Sequence, residues 1–152
     1  VRYEELSDEP CSITRALVLL GDRWTLLILK TAFAGIRRFN GFQGVLGISR
    51  SRLLDRLDRL VAHGILVKRT PESGGAHEEY RLTEKGHEVY PILMALRDWG
   101  DAHLAPDGPP IHYLHDGCGG EARVHLRCDG CAAELTARDI TLQAGPGFPV
   151  PS

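Results

Sequence analysis

The stretch Ile48–Gly64, ISRSRLLDRLDRLVAHG, decides how the chain is read. On a wheel of about 3.6 residues per turn, Leu53, Leu54, Leu57, Leu60 and Val61 share one arc. Ser51, Arg52, Asp55 and Arg59 take the opposite arc, with Arg56 at its edge. Arg50 falls on the apolar side, but in the first turn, where a long side chain splays past the helix end. Ser49 suits the N-cap and Gly64 the stop. A helix over 49–63 that buries leucines and offers serine and arginine from its front half suits a DNA major groove. A solvated surface helix carries the same pattern, so the neighbouring stretches must decide.

Upstream, SITRALVLLG puts Ile13, Ala16, Leu17 and Leu20 on a stripe that ends at Gly21. Cys11 stands at the start of that helix, where the partial positive charge favours thiolate. It reads either as a redox- or electrophile-sensitive thiol or as a small capping residue. WTLLILKTAFAG is apolar almost all round and predicts a central core helix. Arg37 and Arg38 follow. In FNGFQGVLG, Phe39, Phe42 and Leu46 recur at helical spacing, and Gly47 supplies the turn before Ser49. Short helix, turn, longer arginine-bearing helix is the helix-turn-helix order.

Downstream, ILVKRT and EYRLT flank the turn-forming PESGGAHE, so the spacing predicts a β-hairpin over 65–83 attached to the reading helix. Such a hairpin is a wing. Lys68, Arg69, His77 and Arg81 are its candidate contacts to phosphate or a minor groove, or are plain solvated charges. Thr83 caps a long helix, TEKGHEVYPILMALRDWGDAHL, with a stripe of Val89, Leu93, Leu96 and Trp99, Ile92 beside it, and a kink expected at Pro91. Little chain remains to cover that helix. Pairing with a second copy or packing on the first helix would cover it.

APDGPP, residues 105–110, reads as a linker between a domain over 1–104 and an extension over 111–152. In the extension, His115 and Cys118 have the spacing H-x2-C, and Cys128 and Cys131 the spacing C-x2-C. Together they are the candidate ligands of a structural zinc in a ribbon-like β appendage, with His112 and His125 as competitors for the histidine position. The alternative is a small β appendage with reduced thiols. The first ten residues are polar and acidic, and the tail AGPGFPVPS is rich in glycine and proline, so both ends are expected to be irregular.

Composition narrows the class. With 152 residues and 43% hydrophobic content, the chain fits one globular domain and an appendage. No apolar run approaches the ~20 residues of a membrane span, and the start lacks the charged-then-apolar pattern of a secretory signal. The expectation is therefore a cytoplasmic protein with no membrane partner. Four cysteines, one near the start and three near the end, point to thiol or metal chemistry rather than a disulfide framework. The formal net charge is −2, yet residues 37–69 hold eight basic side chains against two acidic, a local net of +6. That patch is the footprint expected of a nucleic-acid binder. No phosphate loop, facing carboxylate pair or nucleophile–base spacing is present, and His63, His77 and His87 stand singly, so an enzyme is not expected.

Cys11 and its helix, GDRWTLLIL, RFNGFQ, LGISRSRLLDRLDRLVAHGIL, EYRLTEKG and ALRDWG, in that order, resemble the HxlR-type winged helix-turn-helix regulators, relatives of the MarR regulators. The resemblance covers roughly Cys11 to His103. It implies a bacterial cytoplasmic homodimer on operator DNA, with dimer contacts from the first and last helices, and a thiol-sensing role for Cys11. A small-molecule or electrophile inducer fits the same picture. The segment from His115 is similar to an extension carried by some members. The expected fold class is mainly α with a small β wing, a winged helix-turn-helix plus a small zinc-ribbon-like appendage. The expected function is a homodimeric repressor reading a palindromic operator. Its first-choice DNA contacts are Arg50, Arg52 and Arg56, with Ser49 and Ser51 on phosphate and Arg37 and Arg38 on the backbone. A winged-helix module that binds protein instead of DNA is the alternative.

Overall fold

Helix α2, Arg23–Phe33, runs through the middle of the N-terminal unit, as its all-round apolar pattern requires. Ile28 and Leu29 are fully buried, and only Lys30 and Arg23 at its surface are open to solvent. A computed structural model describes residues 5–149. Residues 1–4 and 150–152, the extremities of the two stretches expected to be irregular, lie outside the described residues. Helix α1, Ser12–Leu20, precedes α2 and meets it at an elbow, Gly21–Asp22. The Asp22 carboxylate accepts from the N–H groups of Trp24 (3.0 Å) and Thr25 (3.1 Å), closing the start of α2.

The helix-turn-helix forms where the sequence placed it. Helix α3, Phe39–Leu46, ends in Gly47 at φ +61°, a left-handed conformation that costs glycine nothing, and helix α4, Arg50–Ala62, follows. Leu53, Leu57 and Leu60 bury the inner face of α4 beside Phe42 and Ile48. Leu54 departs from the expected arc and is exposed. Helix α4 stops at Gly64, where the Ile65 N–H donates to the Leu60 carbonyl at 2.9 Å.

Strands β1, Leu66–Arg69, and β2, Glu79–Leu82, pair antiparallel with Leu66 opposite Leu82 and Arg69 opposite Glu79. The Tyr80 N–H also donates to the Arg37 carbonyl at 2.7 Å, which ties the hairpin to the chain entering α3. Tyr80 meets Phe42 edge-on, with ring centroids 6.5 Å apart.

The long helix expected after Thr83 is two helices. Thr83 caps a single turn, α5 (Glu84–His87), and accepts from the Gly86 N–H at 3.0 Å. Helix α6, Tyr90–His103, starts afresh. Pro91 explains the break rather than a kink: it lacks the N–H that would bond back to His87. Gly86 is buried, and a Cβ there would strike the Ile65 carbonyl oxygen, so the position requires glycine.

The chain divides into two compact units at Tyr90 and Pro91, not at the 105–110 linker. Helix α6 belongs with the extension because polar side chains join them. The Arg97 guanidinium lies 5.0 Å from the centre of the Tyr113 ring and donates to the Ala122 carbonyl. The Asp98 carboxylate accepts from the Val124 N–H at 2.8 Å. The extension holds short isolated bridges, Leu114–Glu121 and Arg127–Glu134, and no longer strand among its described residues.

Candidate nucleic-acid interface

The front end of α4 is open. Ser49, Arg50, Ser51 and Arg52 are all exposed. Ser49 occupies the N-cap position, yet its hydroxyl makes no cap hydrogen bond, which leaves it and the first helical N–H groups available to an anion. Arg52 has no hydrogen bond or ion pair among the described residues. Arg50 stacks on Phe39, with its guanidinium carbon 4.8 Å from the ring centre. That contact fixes the stem and leaves the N–H fork usable, as cation–π packing does.

Beside this front end lies an open groove of about 900 Å³ lined by Arg37, Arg38, Phe39, Arg50, His77 and Tyr80 among others. It brings together residues from the turn before α3, the first turn of α4 and the hairpin. Four of the expected DNA contacts, Arg37, Arg38, Arg50 and His77, therefore share one concavity. Arg38 is partly balanced by Glu79 at 3.8 Å.

Other expected contacts are committed to the protein itself. Arg56 makes a bidentate pair with Asp22, Nε to Oδ1 at 3.0 Å and Nη2 to Oδ2 at 3.2 Å, and also meets Asp55. The hydrogen bond from Arg56 holds the Asp22 carboxyl below the usual carboxylate range, with the cap N–H groups helping, and Asp22 in turn raises Arg56. Arg59, assigned to the solvent arc by the wheel, donates from Nη2 to the Val18 carbonyl. Arg81 is paired with Glu79 at 2.9 Å. Lys68 sits 5.5 Å from the centre of the Tyr80 ring and 3.6 Å from Glu78. Arg69 and His77 have no such partner among the described residues.

Asp22 is the residue the sequence reading missed. An acid ahead of a helix start is a legible cap, but its partner lies 34 positions away. A thirteen-residue repeat also went unread: His112, Asp116, Gly117, Cys118 and Glu121 recur as His125, Asp129, Gly130, Cys131 and Glu134. The folded chain repeats the pairing. His112 faces Glu121 at 2.8 Å and His125 faces Glu134 at 3.3 Å, so both competitors for the histidine ligand position are engaged with carboxylates.

The four expected zinc ligands come together only two by two. His115 Nδ1 lies 3.3 Å from Cys118 Sγ, which also accepts from the Gly120 N–H at 3.4 Å. The N–H groups of Cys131 and Gly130 and the Cys131 thiol face Cys128 and lower its pKa. Among the described residues no three histidine, cysteine or acidic side chains gather as a metal-holding group. The donor types suit zinc, but this arrangement is not the closed four-ligand site that a structural zinc requires.

Cys11 sits at the N-cap of α1, half-buried. The Thr14 hydroxyl, then the N–H groups of Thr14 and Ile13, hold its thiol below its ordinary pKa.

Comparison with known proteins fits this geometry. Residues 19–108 match the model of the HxlR-like helix-turn-helix family. The chain belongs to that family. An HTH-type transcriptional regulator of Mycobacterium bovis is 46% identical over 138 residues, covering 90% of this chain and 87% of the relative. One of Synechocystis is 34% identical over 95 residues, 62% of this chain and 70% of the relative. Among solved structures, the candidate transcription factor PA1607 superposes with a TM-score of 0.84 at 36% identity, over 93% of this chain and 99% of its own. That coverage reaches past residue 108, so part of the extension is shared. The reduced form of the redox regulator HypR gives 0.57 at 26% identity, over 62% of this chain and 95% of its own. The HxlR-like assignment accounts for the helix-turn-helix and hairpin described above, and the match begins after Cys11.

Proposed function

We propose that this HxlR-like protein is a homodimeric transcriptional repressor that acts in the cytoplasm on palindromic operator DNA. The observation that carries the reading is the uncommitted front of α4. Ser49, Arg50, Ser51 and Arg52 are exposed at a helix start, beside a groove lined by further arginines. Arg52 and Arg50 are the direct readers of guanine edges or phosphates. Ser49, Ser51, Arg37 and Arg38 set register on the backbone. Arg69 and His77 extend from the hairpin toward the flanking phosphates.

Dimer formation is supported by exposed apolar side chains on both helices that the family resemblance assigns to it. In the first unit, Ile13 and Leu17 on α1 are 73% and 52% exposed. In the second, Ile92, Leu96 and Trp99 on α6 are 45%, 53% and 60% exposed. A two-fold pair presents two reading helices about 34 Å apart, one turn of duplex. A protein seated across a promoter in this way blocks polymerase, which makes repression the expected output. Cys11 is the proposed point of entry for an oxidant or electrophile.

The test replaces Arg50 and Arg52 by alanine and measures affinity for a duplex selected from a random library by the native protein. Loss of about tenfold or more at fixed salt is expected, with the slope of log affinity against log salt falling by about one per phosphate contact removed. Affinity within a factor of two of native refutes the assignment.

A further inference from the structure

The flank of α4 that faces the α1–α2 elbow carries Arg52, Arg56 and Arg59 at positions i, i+4 and i+7. Only the first of them is free. The other two end at the elbow and the last turn of α1 before it: Arg56 on the Asp22 carboxylate, Arg59 on the Val18 carbonyl. The Asp22 carboxylate also caps α2 through Trp24 and Thr25. One side chain thus fixes the start of the core helix and grips the reading helix one turn behind its DNA-facing end.

Leu53, Leu57 and Leu60 form an apolar seam that supplies no directional bond of its own. A bidentate arginine–carboxylate pair is directional in both distance and plane. We propose that Asp22 and Arg56 are positioning residues for DNA reading: the elbow between α1 and α2 sets the roll of α4 and hence the aim of Arg50 and Arg52. Arg59 is the second strut of the same elbow. Arg56 then contributes to affinity without touching DNA. Helix α1, with Cys11 at its N-cap and the exposed Ile13 in its first turn, is mechanically joined to the reading helix through Arg59 on Val18. This inference rests on the DNA-binding reading given above and assigns a task to two residues within it.

The experiment measures anisotropy of the same library-selected, fluorescein-labelled duplex from 50 to 250 mM NaCl. The variants are Asp22→Asn, Arg56→Lys, Arg56→Ala, Asp22→Asn with Arg56→Ala, and Arg52→Ala, each checked for a cooperative thermal transition above the assay temperature. Positioning predicts that Asp22→Asn and Arg56→Lys each weaken binding about fivefold or more while the salt slope stays at the native value. It also predicts that the double variant is no weaker than Arg56→Ala alone, because the pair acts as a unit. Arg52→Ala should lower the slope by about one. The proposal is overturned if Arg56→Lys binds within twofold of native, or if Arg56→Ala lowers the salt slope while Asp22→Asn leaves binding unchanged or tighter. The second result makes Arg56 a phosphate contact. Should Arg52→Ala change neither affinity nor slope, the DNA reading itself fails, and the positioning role fails with it.

Discussion

Arg52 and Arg56 stand one turn apart on α4, and their chemistry differs because of what lies across from each. Arg56 faces a carboxylate already oriented by two backbone N–H groups, whereas Arg52 is exposed to solvent. A helical wheel assigns both to a polar edge and cannot separate them, since the partner is remote in the sequence. The same scale governs Cys11. Its thiol lies at a helix start, and the Thr14 hydroxyl is the largest influence lowering its pKa. We expect the alkylation rate of Cys11, followed against pH by mass spectrometry of the peptide, to show a midpoint below the ~8.5 of a free cysteine. Replacing Thr14 by valine should move that midpoint upward, because the thiolate loses its side-chain donor. A native midpoint at or above ~8.5, or one unmoved by Thr14→Val, would assign Cys11 to a plain capping role.

At the level of elements, most of the N-terminal unit was legible because each signal is local. Gly47 and Ser49 fix the helix-turn-helix, and the Pro-Glu-Ser-Gly-Gly run fixes the hairpin. Misreadings occur where a distant group intervenes. The wheel placed Arg59 in solvent, but the Val18 carbonyl at the end of α1 accepts its proton. The expected single helix after Thr83 breaks at Glu88–Val89, where the proline effect outweighs helical periodicity. Gly86 in the short α5 shows how closely that turn is packed. Its Cβ position is occupied by the Ile65 carbonyl oxygen, which itself accepts from the Thr83 N–H at 3.1 Å. Gly86→Ala must therefore push a hydrogen-bonded backbone group, not a flexible side-chain end. A loss of about 1–3 kcal/mol is expected, the range for overpacking. Urea unfolding should show a lower midpoint with an unchanged m value. A midpoint equal to that of the native protein would mean that the turn opens at no cost.

At the level of the whole chain, the extension illustrates a different limit of sequence reading. The cysteine spacings directed attention to a metal, while the thirteen-residue repeat and its junction with α6 carried the architecture. Both repeats share a frame of backbone hydrogen bonds. Ala122 N–H donates to the Tyr113 carbonyl as Leu135 N–H does to Leu126, at 2.8 and 2.9 Å. They differ in what holds them. The first repeat has Arg97 against Tyr113 and the Ala122 carbonyl, and Asp98 on Val124 N–H. No residue of α6 has such a bond with the second repeat among the described residues. The Arg97 side chain is only 10% exposed and meets Asp98 at 2.6 Å, so its removal takes a close cation from that carboxylate as well as freeing the first repeat. Arg97→Ala should thus raise hydrogen exchange about tenfold or more at the Ala122 and Val124 amides. The Leu135 amide, and those of α2 and α4, should keep their native rates, because local opening is confined to the contacts removed. Equal acceleration in both repeats would show that they open as one body, and unchanged rates at Ala122 and Val124 would show that Arg97 does not hold the extension to α6.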